Sequence, residues 1–163
     1  MSLYDKTPII KSNIFIAPNA SVIGNVNLAE KSSIWYGAVL RSEKNTIKIG
    51  NSSNVQDRSV ITTSTGNVEI GNNVTIGHGA LLNSCKVADN VLIGQGSILE
   101  EGAVVESNSI IAAGAVVLSG TNVPSGQLWA GNPAKYVRNT TQEDKNGFEK
   151  TAKSYVDLSL KYL

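Results

Sequence analysis

The feature that most narrows the possible folds is an aliphatic residue at every sixth position. Ile16, Val22, Leu28, Ile34 and Leu40 open the series. It resumes at Ile49, Val55 and Ile61, and again at Ile70, Ile76 and Leu82. It then runs on through Val87, Ile93, Leu99, Val105, Ile111, Val117 and Val123. A Gly or Ala often follows, as at Gly50, Gly71, Gly77, Ala88, Gly94 and Ala112. A small residue often stands four places on, as at Ala38, Ser59, Ala80, Ser97, Ala103 and Ala115. A period of six is neither the 3.6 of a helix nor the 2 of a half-buried strand. It suits a short strand and a turn, with one aliphatic per side pointing inward. Three such sides close a triangular coil of about eighteen residues. Coils then stack at the strand spacing of roughly 4.8 Å. The expected fold is an all-β solenoid, a parallel β-helix of about six rungs. A β-sandwich with accidental spacing is the bland alternative, and eighteen matches speak against it.

The register slips three times. Leu40 to Ile49 and Ile61 to Ile70 each hold three extra residues, and Leu82 to Val87 is one short. The first two slips are expected to be small loops, SEKNT and TSTGNVE, leaving the prism wall. Loops at one level of a solenoid usually line its working face. The repeat ends near NVPSGQLWAGNPAKYVRN, where Pro124 and Pro133 cannot donate to a ladder. TTQED then reads as a capping box with Thr140 as cap and Glu143 three residues on. Phe148, Ala152, Tyr155, Val156, Tyr162 and Leu163 follow near helical spacing, which predicts a helix over 141–163. Gly147 weakens its first turn. The expected organisation is a β-helix over 1–135 and, over 136–163, a C-terminal α-helix packed on the prism.

Length and charge exclude several function classes. A chain of 163 residues buries roughly 70% of its unfolded surface and needs no covalent staple. Fourteen basic against thirteen acidic residues leave a net charge of +1. That makes no field for nucleic acid or an anionic membrane, and no basic run with interleaved aromatics is present, so no nucleic-acid partner is expected. No stretch approaches the roughly 18 apolar residues of a membrane span. The single Cys85 cannot form an internal disulfide and suits a reducing compartment. It reads as a buried small side chain. The opening MSLYDKTPIIKSN lacks the basic start and long apolar core of a signal peptide.

Counting sides predicts which residues share an edge. Every third aliphatic falls on one side, so Leu40, Ile61 and Leu82 form a column. Arg41, Thr62 and Asn83 follow them, each 21 residues apart. Val55 and Ile76 form a second column, and two residues on stand Asp57 and His78, the only histidine. The aliphatics point in, so these polar neighbours point out. The two edges can meet only where one prism packs on another.

Several segments, in order and over nearly the whole chain, resemble the gamma class of carbonic anhydrases. They are SIWYGAVLRSE, NVQDRSVI, VTIGHGALLNSC, NVLIGQGSILEEGAVVE, IAAGAVV and VPSGQLWAGNPAKYVR. The resemblance implies a trimer of left-handed β-helices, each with a C-terminal helix. It implies zinc between subunits, held by two histidines of one prism and one of its neighbour. At the first of these positions VIT stands for the family's VIH, so Thr62 replaces a ligand. At the second, LNSC stands for LHGC, so Asn83 replaces another. Only His78, the ligand given across the interface, remains as a candidate metal residue. Catalytic zinc takes three nitrogen, thiolate or carboxylate ligands and a water. A neutral hydroxyl and an amide carbonyl are poor substitutes. No cofactor is therefore expected in a homotrimer, and no autonomous carbonic anhydrase activity. The resemblance also matches Arg41 and Glu43 to a subunit-bridging pair and Gln56 and Asp57 to site residues. The bland reading makes all four interface scaffolding, and makes His78 a hydrogen-bonded interface residue beside Asp57. Trp35, Tyr36 and Trp129 read as packing residues.

A mixed trimer explains why His78 would stay without its two partners: it could complete a zinc site on a paralogue that bears the other two histidines. The carbonic-anhydrase-like subunits of mitochondrial complex I are arranged in such trimers. LLNSCKVADNVLIGQGSILEEGAVVESNSI and PSGQLWAGNPAKYVR are particularly similar to them. The leading expectation is thus a mainly structural subunit on the matrix side of complex I, against its membrane arm. The alternative is a cytoplasmic bacterial homotrimer with divergent hydratase or hydrolase activity. A hexapeptide acyltransferase using His78 as general base and a small-ligand binder using Arg41 as an anion contact are further classes.

Overall fold

The computed structural model describes residues 1–163, and the inward aliphatics stand in three columns. On the first face Ile16, Ile34, Val55, Ile76, Ile93 and Ile111 pair in succession, and Trp129 takes the next place. On the second face the column is Val22, Leu40, Ile61, Leu82, Leu99 and Val117. On the third it is Leu28, Ile49, Ile70, Val87, Val105 and Val123. All these pairings are parallel, and the chain is a left-handed β-helix with one C-terminal helix. The coil makes about seven turns. The level beyond the expected six is the one where Trp129, not an aliphatic, turns inward. The small residues four places on, from Ala38 to Ala115, are fully buried at the corners. The glycines after the strands answer a close approach of stacked coils. A Cβ on Gly77 would lie 2.6 Å from the backbone nitrogen of Gln95.

The stretch SEKNT does not leave the wall as a loop. Val39–Ile49 is a single strand of eleven residues that carries the chain round the corner between the second and third faces. Side chains satisfy the backbone through this bend. Ser42 Oγ donates to the Asn45 carbonyl at 2.7 Å, and the Thr46 N–H donates to Asn67 Oδ1 at 2.9 Å. TSTGNVE does bulge, with Ser64, Thr65 and Asn67 exposed.

After the last coil, Lys135–Asn139 folds back antiparallel on Gln127–Ala130, so a strand precedes the helix. The helix runs over Gln142–Leu160, ending short of the expected 163. Its capping box is Thr141 with Asp144, one residue beyond the expected Thr140 and Glu143. Thr140 is tied to the coil instead, its N–H donating to the Gly126 carbonyl and its hydroxyl to the Asn108 carbonyl, each at 2.9 Å. Thr141 is then the first residue free to cap. The helix runs back along the first face, burying Phe148 and Ala152. At its far end Tyr162 stacks on Phe15 with ring centres 4.8 Å apart, and Tyr155 meets Trp35 edge-on at 5.3 Å.

The three faces therefore differ outside as well as inside. The helix covers the first. The third carries the column Lys48, Glu69 and Lys86. The second presents Val39, Val60, Leu81, Ile98 and Val116, none of them fully buried and Leu81 45% exposed. Nothing in the chain covers that stripe.

Thr141→Ala should lower stability by about 1 kcal/mol, seen as a lower denaturant midpoint with an unchanged slope. Arg138 beside Asp144, with the Thr141 N–H, holds the Asp144 carboxyl down at about 2. A depressed carboxyl stabilises fully above its unfolded range and loses that contribution as pH falls towards the folded value. Acid titration should therefore loosen the helix of the native protein between about pH 4 and pH 2. Asp144→Asn should flatten that response.

Candidate functional site

The edges expected from counting are present. Thr62 lies opposite both Arg41 and Asn83 in adjacent strands, at the corner between the second and third faces. Arg41 reaches Glu43 at 3.3 Å, in an exposed pair on the same edge. Exposed pairs of this kind contribute little to stability. Asp57 and His78 occupy the other corner of the second face. The Gly79 N–H donates to the Asp57 carbonyl at 2.9 Å, which sets the two turns one above the other. Each turn needs a left-handed residue, Arg58 (φ 59°) in one and Gly79 (φ 66°) in the next. His78 Nδ1 lies 3.0 Å from Asp57 Oδ2, and the two side chains are 51% and 38% exposed. A neutral imidazole whose Nδ1–H faces a carboxylate presents Nε2 as a bare acceptor or metal ligand.

Gln56 is not gathered with them. It is buried, and its Nε2 donates to Asn54 Oδ1 at 3.0 Å. Trp35 is likewise a buried packing residue, whereas Tyr36 is partly exposed beside His78 and Arg58, in an open cleft of about 550 Å³. Burial first, then Tyr162 and Asp57, push the Tyr36 phenol above its ordinary value. Burial and Asp57 do the same to Tyr155. Both phenols therefore stay neutral, and Tyr36 shares the cleft with the imidazole. Cys85 is buried, and burial raises its thiol to about 12, so it is no nucleophile.

At the corner of Thr62 and Asn83 lies a second open cleft, of about 520 Å³, lined also by Val60, Leu81, Ile98 and Glu101. Residues that the sequence reading passed over control it. Ser84 Oγ accepts from the Ser64 N–H at 2.8 Å and donates to Asn83 Oδ1 at 3.0 Å. Ser64 Oγ also reaches Asn83 Oδ1, at 3.1 Å. The Thr65 hydroxyl donates to Glu101. The Asn83 carbonyl oxygen thus accepts two hydroxyls of its own chain, which turns the amide NH2 outward. The count of 21 could have found part of this, since Ser42, Thr63 and Ser84 form the next column. Ser42 and Thr63 share a hydrogen bond of 3.1 Å. Tyr155 comes from the helix and Tyr162 from the turn just beyond its end, and no period relates them to the coil.

A zinc ion does not fit this corner within one chain. No three His, Cys, Asp or Glu side chains gather anywhere in the molecule. The only oxygen Asn83 could offer a cation is already engaged by Ser64 and Ser84.

Residues 84–119 match the family described as bacterial transferase hexapeptide (six repeats). The chain is 41% identical over 166 residues to "Gamma carbonic anhydrase 2, mitochondrial" of Arabidopsis thaliana, covering 98% of this chain and 60% of that protein. It is 49% identical to "Gamma carbonic anhydrase-like 2, mitochondrial" of the same plant, covering 95% of this chain and 63% of that protein. The chain therefore spans less than two thirds of the plant relatives. It is 48% identical to the "Probable carbonic anhydrase" of Methanocaldococcus jannaschii, covering 93% of this chain and 96% of that protein. Among solved structures, a hexapeptide transferase family protein from Anaplasma phagocytophilum superposes with a TM-score of 0.96. It is 41% identical, over 99% of this chain and 96% of that one.

Ser84→Ala strips the Ser64 N–H and the Asn83 carbonyl oxygen of a shared partner at a buried position. Stability should fall by about 1–3 kcal/mol, measured by chemical denaturation.

Proposed function

The chain belongs to the gamma-class carbonic anhydrase family, and we propose that it serves there as a mainly structural subunit of a trimer. The observation that carries this is the chemistry of the corner at Thr62 and Asn83. It offers a hydroxyl and an outward amide NH2 where a zinc site needs lone pairs. The uncovered apolar stripe on the second face supports association, and both polar corners flank that stripe.

The fuller proposal is a mixed trimer. His78, anchored by Asp57, would complete a zinc site on a neighbouring paralogue bearing histidines at the positions of Thr62 and Asn83. The location proposed is the matrix side of mitochondrial complex I, against its membrane arm. Likeness to two mitochondrial plant proteins supports it, and no helix here is long and apolar enough to cross a membrane. A specific observation favours a second reading, a bacterial-type cytoplasmic homotrimer with divergent hydratase or hydrolase activity. The chain is 48% identical to the archaeal relative, and it superposes on the Anaplasma structure with a TM-score of 0.96 at 41% identity.

Isolation from the native source should bring down a histidine-bearing paralogue. A stoichiometric trimer of this chain alone would refute the mixed assembly. The pure chain should hold far less than one zinc per subunit by elemental analysis and show no ordinary CO2 hydration. Near one zinc per subunit would overturn the structural reading. Thr62→His combined with Asn83→His should raise the zinc content of the pure chain.

A further inference from the structure

We infer that where two copies of this chain meet, His78 of one copy hydrogen-bonds directly to the Asn83 amide of the next, so that an N–H donor stands in for a metal ion. This rests on the trimer reading above and deepens it by naming the partner of each corner.

The first support is polarity. Asp57 faces His78 Nδ1 at 3.0 Å, and a neutral ring so held leaves Nε2 as an acceptor. Ser84 Oγ accepts from both the Ser64 and the Gly66 N–H, which leaves it only its proton to offer, and that goes to Asn83 Oδ1 at 3.0 Å. That bond fixes which end of the amide faces out, and it is the NH2 end. An exposed acceptor and an exposed donor are complementary. Neither Nε2 of His78 nor Nδ2 of Asn83 has a hydrogen-bond partner within the chain. An ion with empty orbitals and an N–H proton both accept density from the imidazole lone pair, so the same ring can serve either.

The second support is level. His78 and Asn83 belong to one coil, between the strands Thr75–Ile76 and Leu81–Asn83 and the turn that joins them. Asp57 and Thr62 belong to the coil before it. A three-fold axis parallel to the prism keeps every residue at its own height. It therefore carries His78 of one copy to the height of Asn83 in another. The apolar stripe lies between these corners and supplies the contact that holds them in place.

The test is a double-mutant cycle on the purified full chain in the presence of EDTA, with trimer association measured by sedimentation. His78→Ala and Asn83→Ala should each weaken association by about two- to tenfold per interface, compounded over the three interfaces of the trimer, and the double variant should be no weaker than the worse single. Should Asn83→Ala unfold the Ser64 loop, Asn83→Ser keeps a hydroxyl for Ser84 but is too short to cross. It should weaken association equally. Additive losses, or none, overturn the pairing. A chain that stays monomeric at every concentration also overturns it, while leaving the mixed trimer standing. Trimers dissolved by EDTA, or holding stoichiometric zinc, overturn both readings.

Discussion

No coil of this prism can bury its own aliphatics. Three inward side chains per turn enclose too little volume, and each strand of two or three residues offers its hydrogen bonds upward and downward rather than within the turn. A coil is stable only when another lies on it, with Ile76 on Val55 and Leu82 on Ile61. That dependence on neighbours demands an invariant register, and the register decides everything placed outside the wall. A residue beside one aliphatic must lie above the residue beside the previous one. The site is a by-product of the core.

For the same reason much of the site was legible from the chain. The interval of 21 residues set Thr62 under Asn83 and Asp57 under His78 without any structural knowledge. What was not legible follows different physics. SEKNT looks like an insertion, yet a hydroxyl donated by Ser42 and a side-chain oxygen of Asn67 that accepts the Thr46 N–H let it continue as strand. The helix start slid by one residue because Thr140 finds acceptors in distant coils, contacts that no local signal announces. The Ser64 and Ser84 hydroxyls decide which way Asn83 faces, and that choice lives in donor and acceptor counts rather than in residue type. The engagement of the Gln56 amide by Asn54 is a side-chain contact two residues away that the repeat does not announce.

Residue type alone does not set the chemistry of a corner. Hydroxyls behind Asn83 turn its amide NH2 outward, while the opposite corner carries an imidazole beside its orienting carboxylate. A scaffold with such fixed spacing can change its chemistry without moving its backbone. Two side chains and the hydroxyls behind them suffice.

The helix that returns along the first face has a topological consequence. It brings Tyr162 back to Phe15, in the first coil, while the amino group of Met1 is bonded to the Val22 carbonyl in the same region. Both chain ends thus emerge from one pole of the molecule. Fusions at either terminus would project from that pole and leave the opposite one bare. A short linker joining the ends would let new termini be cut into an exposed turn without disturbing the stack.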